Sequence, residues 1–194
     1  MTHLLVVRHG ESEWNADGRW QGQENPPLSD LGRQQARQAA RGIGAVDAVV
    51  ASPLDRAVTT AGIIAEELGI GPVVTIPGLI ERHAGEWQGL TRAGIEDLYP
   101  GYLAEGKRPP GWEDDGLVRD RVFDAFDHIA AAHPYGFVVA VAHAGVIFSA
   151  EAELGAPWER IANLGGRWFL REQDRWVLGD RVHLLVEETI PDQL

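Results

Sequence analysis

The chain has 194 residues, 44% of them hydrophobic and 24% charged, which fits one folded domain over 1–194 and excludes a disordered chain or two large domains. Seventeen basic against 29 acidic residues leave a net charge of −12, which argues against nucleic acid or an anionic membrane as the main partner. Cysteine is absent, so disulfides, thiolate metal sites and Cys-nucleophile enzymes, thiol phosphatases included, are excluded.

Residues 3–7 form a short apolar run that ends at Arg8-His9-Gly10-Glu11 and reads as a strand buried on both faces, the habit of a parallel sheet. Residues 29–43 read as a weakly apolar helix started by Ser29. Residues 47–52 repeat the strand pattern. The stretch 54–68 places Leu54, Ala57, Val58, Ala61, Ile64 and Leu68 on one helical face, with Ser52 as the expected cap and Pro53 at the first position. Residues 73–76 are a weaker strand. Residues 100–116, rich in Gly and Pro and without a period, read as a long surface excursion. A helix over 117–133 follows, striped by Val118, Val122, Ala125, Phe126 and Ile129. Residues 136–142 are a third strong strand that ends at His143 and leads into a helix over 145–154. Residues 167–172 and 175–178 flank Gln173-Asp174 as a hairpin, and 182–186 read as a further strand. Strand–helix alternation predicts a doubly wound α/β fold. The longest apolar runs are too short to span a bilayer, and no signal peptide is visible, so the expected location is cytoplasmic.

In open parallel sheets ligands bind outside the carboxyl ends of the strands. Three such ends deliver Arg8, His9, Arg56 and His143 to one edge, and helix starts there add free N–H groups. Each residue alone has a plain structural reading: a strand-end His is usually a hydrogen-bonded packing residue, and Arg56 is usually solvated or paired with Asp55 or Glu66. Their convergence, in so acidic a chain, points to an anion and specifically a phosphoryl group. No G-x-S-x-G elbow, no G-x-x-x-x-G-K-[ST] loop and no H-E-x-x-H is present, and the seven His are scattered, so no metal is predicted. The nucleophile left is the His9 imidazole, whose neutral form is plentiful near an ordinary pKa of roughly 6.5. Arg8 and Arg56 suit the non-bridging oxygens, and a protonated His143 adds a third donor. Glu81 and Glu86 both stand as candidates for the proton donor.

These residues fall in ordered blocks: Arg8-His9-Gly10-Glu11-Ser12-x-Trp14-Asn15, then Gln21-Gly22, then Pro27-Leu28-Ser29-x-x-Gly32. Ser52-Pro53-Leu54-x-Arg56-Ala57-x-x-Thr60-Ala61, Glu81…Gly85-x-Trp87-Gln88-Gly89 and His143-x-Gly145 follow. The set resembles the signature of the histidine phosphatase superfamily, phosphoglycerate-mutase-like branch. That resemblance implies a three-layer α/β/α sandwich with a mostly parallel central sheet. It implies His9 as the phosphorylated nucleophile, Glu81 as the proton donor, and Arg8, Arg56 and His143 as the phosphate pocket. Asn15, Gln21, Gly22 and Ala144 would line the phosphate side. No cofactor or metal is implied. Two departures stand out: Ala144 replaces a Gly common after the last strand, and Gly111-Trp112-Glu113-Asp114-Asp115 stands where many members carry Gly-Glu-Ser.

Glu81 and His143 stand only 62 positions apart, a spacing that resembles that of the shorter, phosphatase-type members. The expected activity is metal-independent hydrolysis of a small organic phosphate monoester, a sugar or glycerate phosphate among the candidates. The alternatives are mutase-type phosphoryl transfer and a catalytically silent phosphoprotein-binding module, which would have lost a core residue. Trp14, Trp20, Trp87 and Trp112 read as an apolar wall for the leaving group or as core. The expected partner is the small-molecule ester, with no nucleic acid and no membrane, and the assembly is open to a homodimer.

Overall fold

The computed structural model describes residues 1–185. Its strands are β1 (Thr2–Arg8), β2 (Ala48–Ala51), β3 (Val74–Thr75), β4 (Phe137–Ala142), β5 (Gly165–Glu172) and β6 (Arg175–His183). They form one sheet in the order β3-β2-β4-β1-β5-β6. The first four pair in parallel, and β5 pairs antiparallel to both β1 and β6. The helices are α1 (Glu13–Ala16), α2 (Asp30–Ala40), α3 (Asp55–Leu68), α4 (Arg92–Leu98), α5 (Asp115–Ala132) and α6 (Ala144–Glu153).

The doubly apolar strands explain the layers. Leu4 and Val6 of β1 face one core with α5 and α6, while Leu5 and Val7 face the other with α2 and α3. Period-two side chains of a central strand must be apolar on both sides for that to happen. The result is a three-layer α/β/α sandwich. All five stripe residues of α5 are buried, Phe126 among Phe169 and Trp176 at ring distances of 5.1 and 5.3 Å. Truncating such a ring to Ala costs about 3–5 kcal/mol. No helix among the described residues is long and apolar enough to cross a membrane.

The structure corrects three local expectations. Ser52 does not cap α3: Leu54 occupies the N-cap with no side-chain bond, and the Ser52 hydroxyl turns instead to His143. The separate strand expected from residue 182 is the far end of β6, which runs unbroken through Gly179 and Asp180, and residues 186–194 lie outside the described residues. The excursion 100–116 is not all surface loop. Trp112 bridges Ala84, Pro109 is buried, and Asp114 caps α5 by accepting from the Gly116 and Leu117 N–H groups.

Candidate active site

The parallel strands β1, β2 and β4 end together, and a cavity of about 410 Å³ opens above them. Arg8 is the last residue of β1, and His9 follows it. The sheet holds both in place, the His9 N–H donating to the Ala142 carbonyl at 3.1 Å. The floor is nearly dry: Arg8 is 4% exposed, His9 2%, Arg56 1% and His143 0%.

The His9 ring is oriented from both nitrogens. Nδ1 lies 2.6 Å from the Gly10 carbonyl, and Arg56 Nε donates to Nε2 at 3.2 Å. A ring nitrogen that accepts carries no proton, so Nδ1–H donates to Gly10 and the Nε2 lone pair faces the Arg56 fork. Burial, followed by the Arg56 and Arg8 charges, pushes the His9 pKa well below its ordinary 6.5, so the imidazole is neutral at pH 7. Gly10 is held in turn by Thr60, whose hydroxyl accepts its N–H at 3.1 Å. Asn163 donates to the His9 carbonyl at 2.9 Å.

Arg56 sits on the buried face of α3. Its Nη1 donates to the Glu24 carbonyl and its Nη2 to the Gly22 carbonyl, each at 2.7 Å. Three of its five N–H groups are thus used, and two remain for a ligand. Gly22 has φ +52, and a Cβ there would strike the Gln88 side chain, which itself accepts from the Gln23 N–H at 2.9 Å. This knits the 21–24 turn to the segment carrying Glu81. Arg8 donates through Nη1 to the Ile161 carbonyl at 2.9 Å. Burial pushes both guanidinium pKa values down to about 10, with Glu81 pulling the other way, so both stay charged at pH 7.

His143 stands 5.2 Å from His9, ring centre to ring centre. Its Nε2 lies 2.7 Å from Ser52 Oγ, while Nδ1 is buried with no protein partner. Burial, then Arg56, His9 and Arg8, drives its pKa well below 6.5. The resting ring is therefore neutral, not the protonated donor expected from the sequence. A neutral ring still donates through one nitrogen.

Glu81 hangs over the floor from the segment after β3. Its carboxylate accepts the Arg82 N–H at 2.7 Å and the Gly145 N–H at 3.2 Å. Gly145 is essential to this approach, because a Cβ there would collide with the Glu81 carboxylate. Arg121 of α5 pins the chain just before Glu81, donating to the Gly78 and Ile80 carbonyls at 2.9 and 2.6 Å. Glu113 is committed to Arg121 and to the His83 N–H, and Asp114 to its cap, so this helix start offers the cavity neither carboxylate. Glu86, the other candidate acid, is exposed and accepts from the Tyr99 hydroxyl instead.

Of the remaining expected residues, Gln21, Gly22 and Ala144 line the cavity. Asn15 does not. Its side chain accepts the Ser12 N–H at 3.2 Å as half of a capping box on α1, and it meets Asn163 behind the His9 backbone. Trp20 and Trp112 line the cavity while Trp87 is fully buried beneath them, the three rings meeting edge to face at 5.2 to 6.0 Å. Sequence reasoning missed Thr60, Asn163, Gly145 and Arg121 as supports. Only the first and third lie inside the recognised blocks.

A neutral imidazole between two buried guanidinium groups, under a carboxylate, at parallel strand ends is the site of a phosphoryl-handling α/β enzyme. The description of the histidine phosphatase superfamily (branch 1) matches residues 4–167, and the chain belongs to that family. It is 38% identical to a metal-independent phosphoserine phosphatase of Arabidopsis thaliana, over 76% of this chain and 66% of that protein. It is 33% identical to the glucosyl-3-phosphoglycerate phosphatase of Mycobacterium tuberculosis H37Rv, over 91% of this chain and 87% of that protein. The solved structure of a mycobacterial glucosyl-3-phosphoglycerate phosphatase with VO3 superposes with a TM-score of 0.82 at 32% identity, covering 91% of this chain and 96% of that one. The activity class is that of a phosphoric monoester hydrolase.

Proposed function

We propose that the protein hydrolyses a small organic phosphate monoester through a phosphohistidine on His9, without a metal. The observation that carries this reading is the His9 ring itself, neutral, fixed through Nδ1 and with its Nε2 lone pair set against the Arg56 fork.

In the first half, His9 Nε2 attacks phosphorus and the P–O bond to the leaving group breaks. Arg8, Arg56 and one His143 N–H take the charge on the non-bridging oxygens. Glu81, protonated at this stage, gives its proton to the departing alkoxide. In the second half, Glu81 as carboxylate removes a proton from water, the oxygen attacks phosphorus, and the P–N bond breaks. Inorganic phosphate leaves, with His9 neutral and Glu81 protonated again. The substrates named for its relatives, phosphoserine and glucosyl-3-phosphoglycerate, are small phosphorylated organic acids. A compound of that size suits a 410 Å³ cavity.

The test is p-nitrophenyl phosphate turnover in excess chelator. Turnover is expected to persist, and His9→Ala to lower kcat by on the order of 10⁴-fold or more. Rapid acid-free quenching of wild type should trap an alkali-stable, acid-labile phosphoryl adduct on the peptide containing His9. Equal rates in wild type and His9→Ala would overturn the assignment.

A further inference from the structure

The two arginines of the floor are anchored unequally. Three N–H groups of Arg56 are engaged, by the Glu24 and Gly22 carbonyls and by His9. The Arg8 guanidinium makes one hydrogen bond among the described residues, from Nη1 to the Ile161 carbonyl at 2.9 Å, and its buried Nε makes none. A rigid, planar donor fork tied at one point takes its direction from that point. The aim of Arg8 therefore depends on where the chain sets the Ile161 carbonyl.

That carbonyl lies in irregular backbone between α6 and β5. Residues 161–164 are buried and make two more bonds to the same strand end. The Leu164 N–H donates to the Arg8 carbonyl at 3.1 Å, and the Asn163 amide donates to the His9 carbonyl at 2.9 Å. The chain just ahead of Ile161 is held by Arg181 of β6. Its Nη1 donates to the Arg160 carbonyl and its Nη2 to the Glu159 carbonyl, each at 2.9 Å. The same guanidinium forms a forked pair with Glu151 of α6, Nε to Oε1 at 2.8 Å and Nη2 to Oε2 at 2.6 Å. Four of its five N–H groups are thus used. Glu151 is 2% exposed, and Arg167, the residue opposite Arg181 in the β5–β6 register, lies 3.6 Å from it. A buried ion pair adds little net stability, because desolvation offsets the attraction, but a forked one fixes direction.

We propose that Arg181, locked by Glu151, is a positioning residue for Arg8. By gripping the two carbonyls ahead of Ile161 it sets the Ile161 carbonyl, and with it the Arg8 fork, toward the phosphoryl oxygens. This rests on the reading of the floor as a phosphoryl site. It adds a support that lines no part of the cavity and lies outside the recognised sequence blocks.

A double-mutant cycle between Arg181 and Arg8 tests this. Arg181→Gln should lower kcat/KM on p-nitrophenyl phosphate, and weaken orthovanadate binding in calorimetric titration, by about tenfold. Arg181→Lys keeps a charge beside Glu151 and loses the fork, so it should show a smaller loss of the same kind, and it carries the cycle should Arg181→Gln fail to fold. In an Arg8→Gln background either substitution should cost less than about twofold further, because the group it acts through is gone. A merely structural role would give the same fold-loss in both backgrounds, and that result would overturn the proposal, as would full activity in folded Arg181→Gln. Orthovanadate titration needs no turnover, so the two readings separate. Coupling in orthovanadate affinity in a protein that hydrolyses nothing supports the positioning role while refuting the esterase. Turnover with losses that simply multiply refutes the positioning role alone.

Discussion

Arg8, His9, Arg56 and His143 are at most 4% exposed and stand on strand ends and on a helix face pressed against the sheet. Arg92, Arg108 and Trp158 line the same cavity from exposed positions on α4, on the 100–116 excursion and beyond α6. The buried set is held by backbone carbonyls, a hydroxyl and its own members, and burial decides which of its groups carry charge. The exposed set is held by one aromatic face or by nothing, and water screens it. In the proposed mechanism bond making falls to the floor, where donors are preorganised and cost no rearrangement, while at the rim a substitution disturbs little else.

That contrast is broken most sharply at Arg56. Arg56→Lys keeps a charge but removes the Nε–H aimed at His9 and the carbonyl-bound fork. Steady-state kinetics on p-nitrophenyl phosphate should show kcat/KM falling roughly 10²–10³-fold. No single rim substitution should approach that loss, and a rim variant that did would abolish the division.

A smaller effect is expected at Gly145. A new Cβ meets the end of a flexible carboxylate rather than backbone, so Gly145→Ala should fold normally and displace Glu81. Its activity should drop by up to about 10²-fold on alkyl phosphates, as Glu81→Gln should, because proton donation matters for a poor leaving group. Both variants should lose far less on p-nitrophenyl phosphate, whose phenolate leaves without a proton. Equal losses on both substrates would remove Glu81 from the donor role.

The mildest consequence concerns stability against pH. His9 and His143 have folded pKa values well below 6.5, so below pH 6.5 the unfolded chain binds more protons than the folded one. Stability is then complete above pH 6.5 and falls as pH drops below it, with a slope approaching about 1.4 kcal/mol per pH unit for each ring. Urea denaturation between pH 7.5 and 5.5 checks this, and a His143→Asn variant should lose part of the slope.

Much of the floor is legible in the amino-acid sequence. Short apolar runs with residues of both faces hydrophobic have few ways to fold, and a parallel sheet lines up their carboxyl ends, so Arg8, His9 and His143 could be placed together from strand patterns alone. Arg56 followed from its place at the start of an amphipathic helix. The choice of Glu81 over Glu86 did not follow from residue patterns. It came from the family resemblance, and the structure adds a physical reason in the Gly145 N–H that holds one carboxylate while Tyr99 engages the other.

Periodicity and strand-end chemistry are local, so the amino-acid order alone determined the layers and the gathering of His9 with its guanidinium partners. The neutrality of His143, the diversion of Ser52 from capping to that ring, the supporting amide of Asn163 and the stacking of Arg108 on Trp112 were decided only by the folded arrangement. Each depends on groups far apart in the chain, and on how much water the packing removes between them.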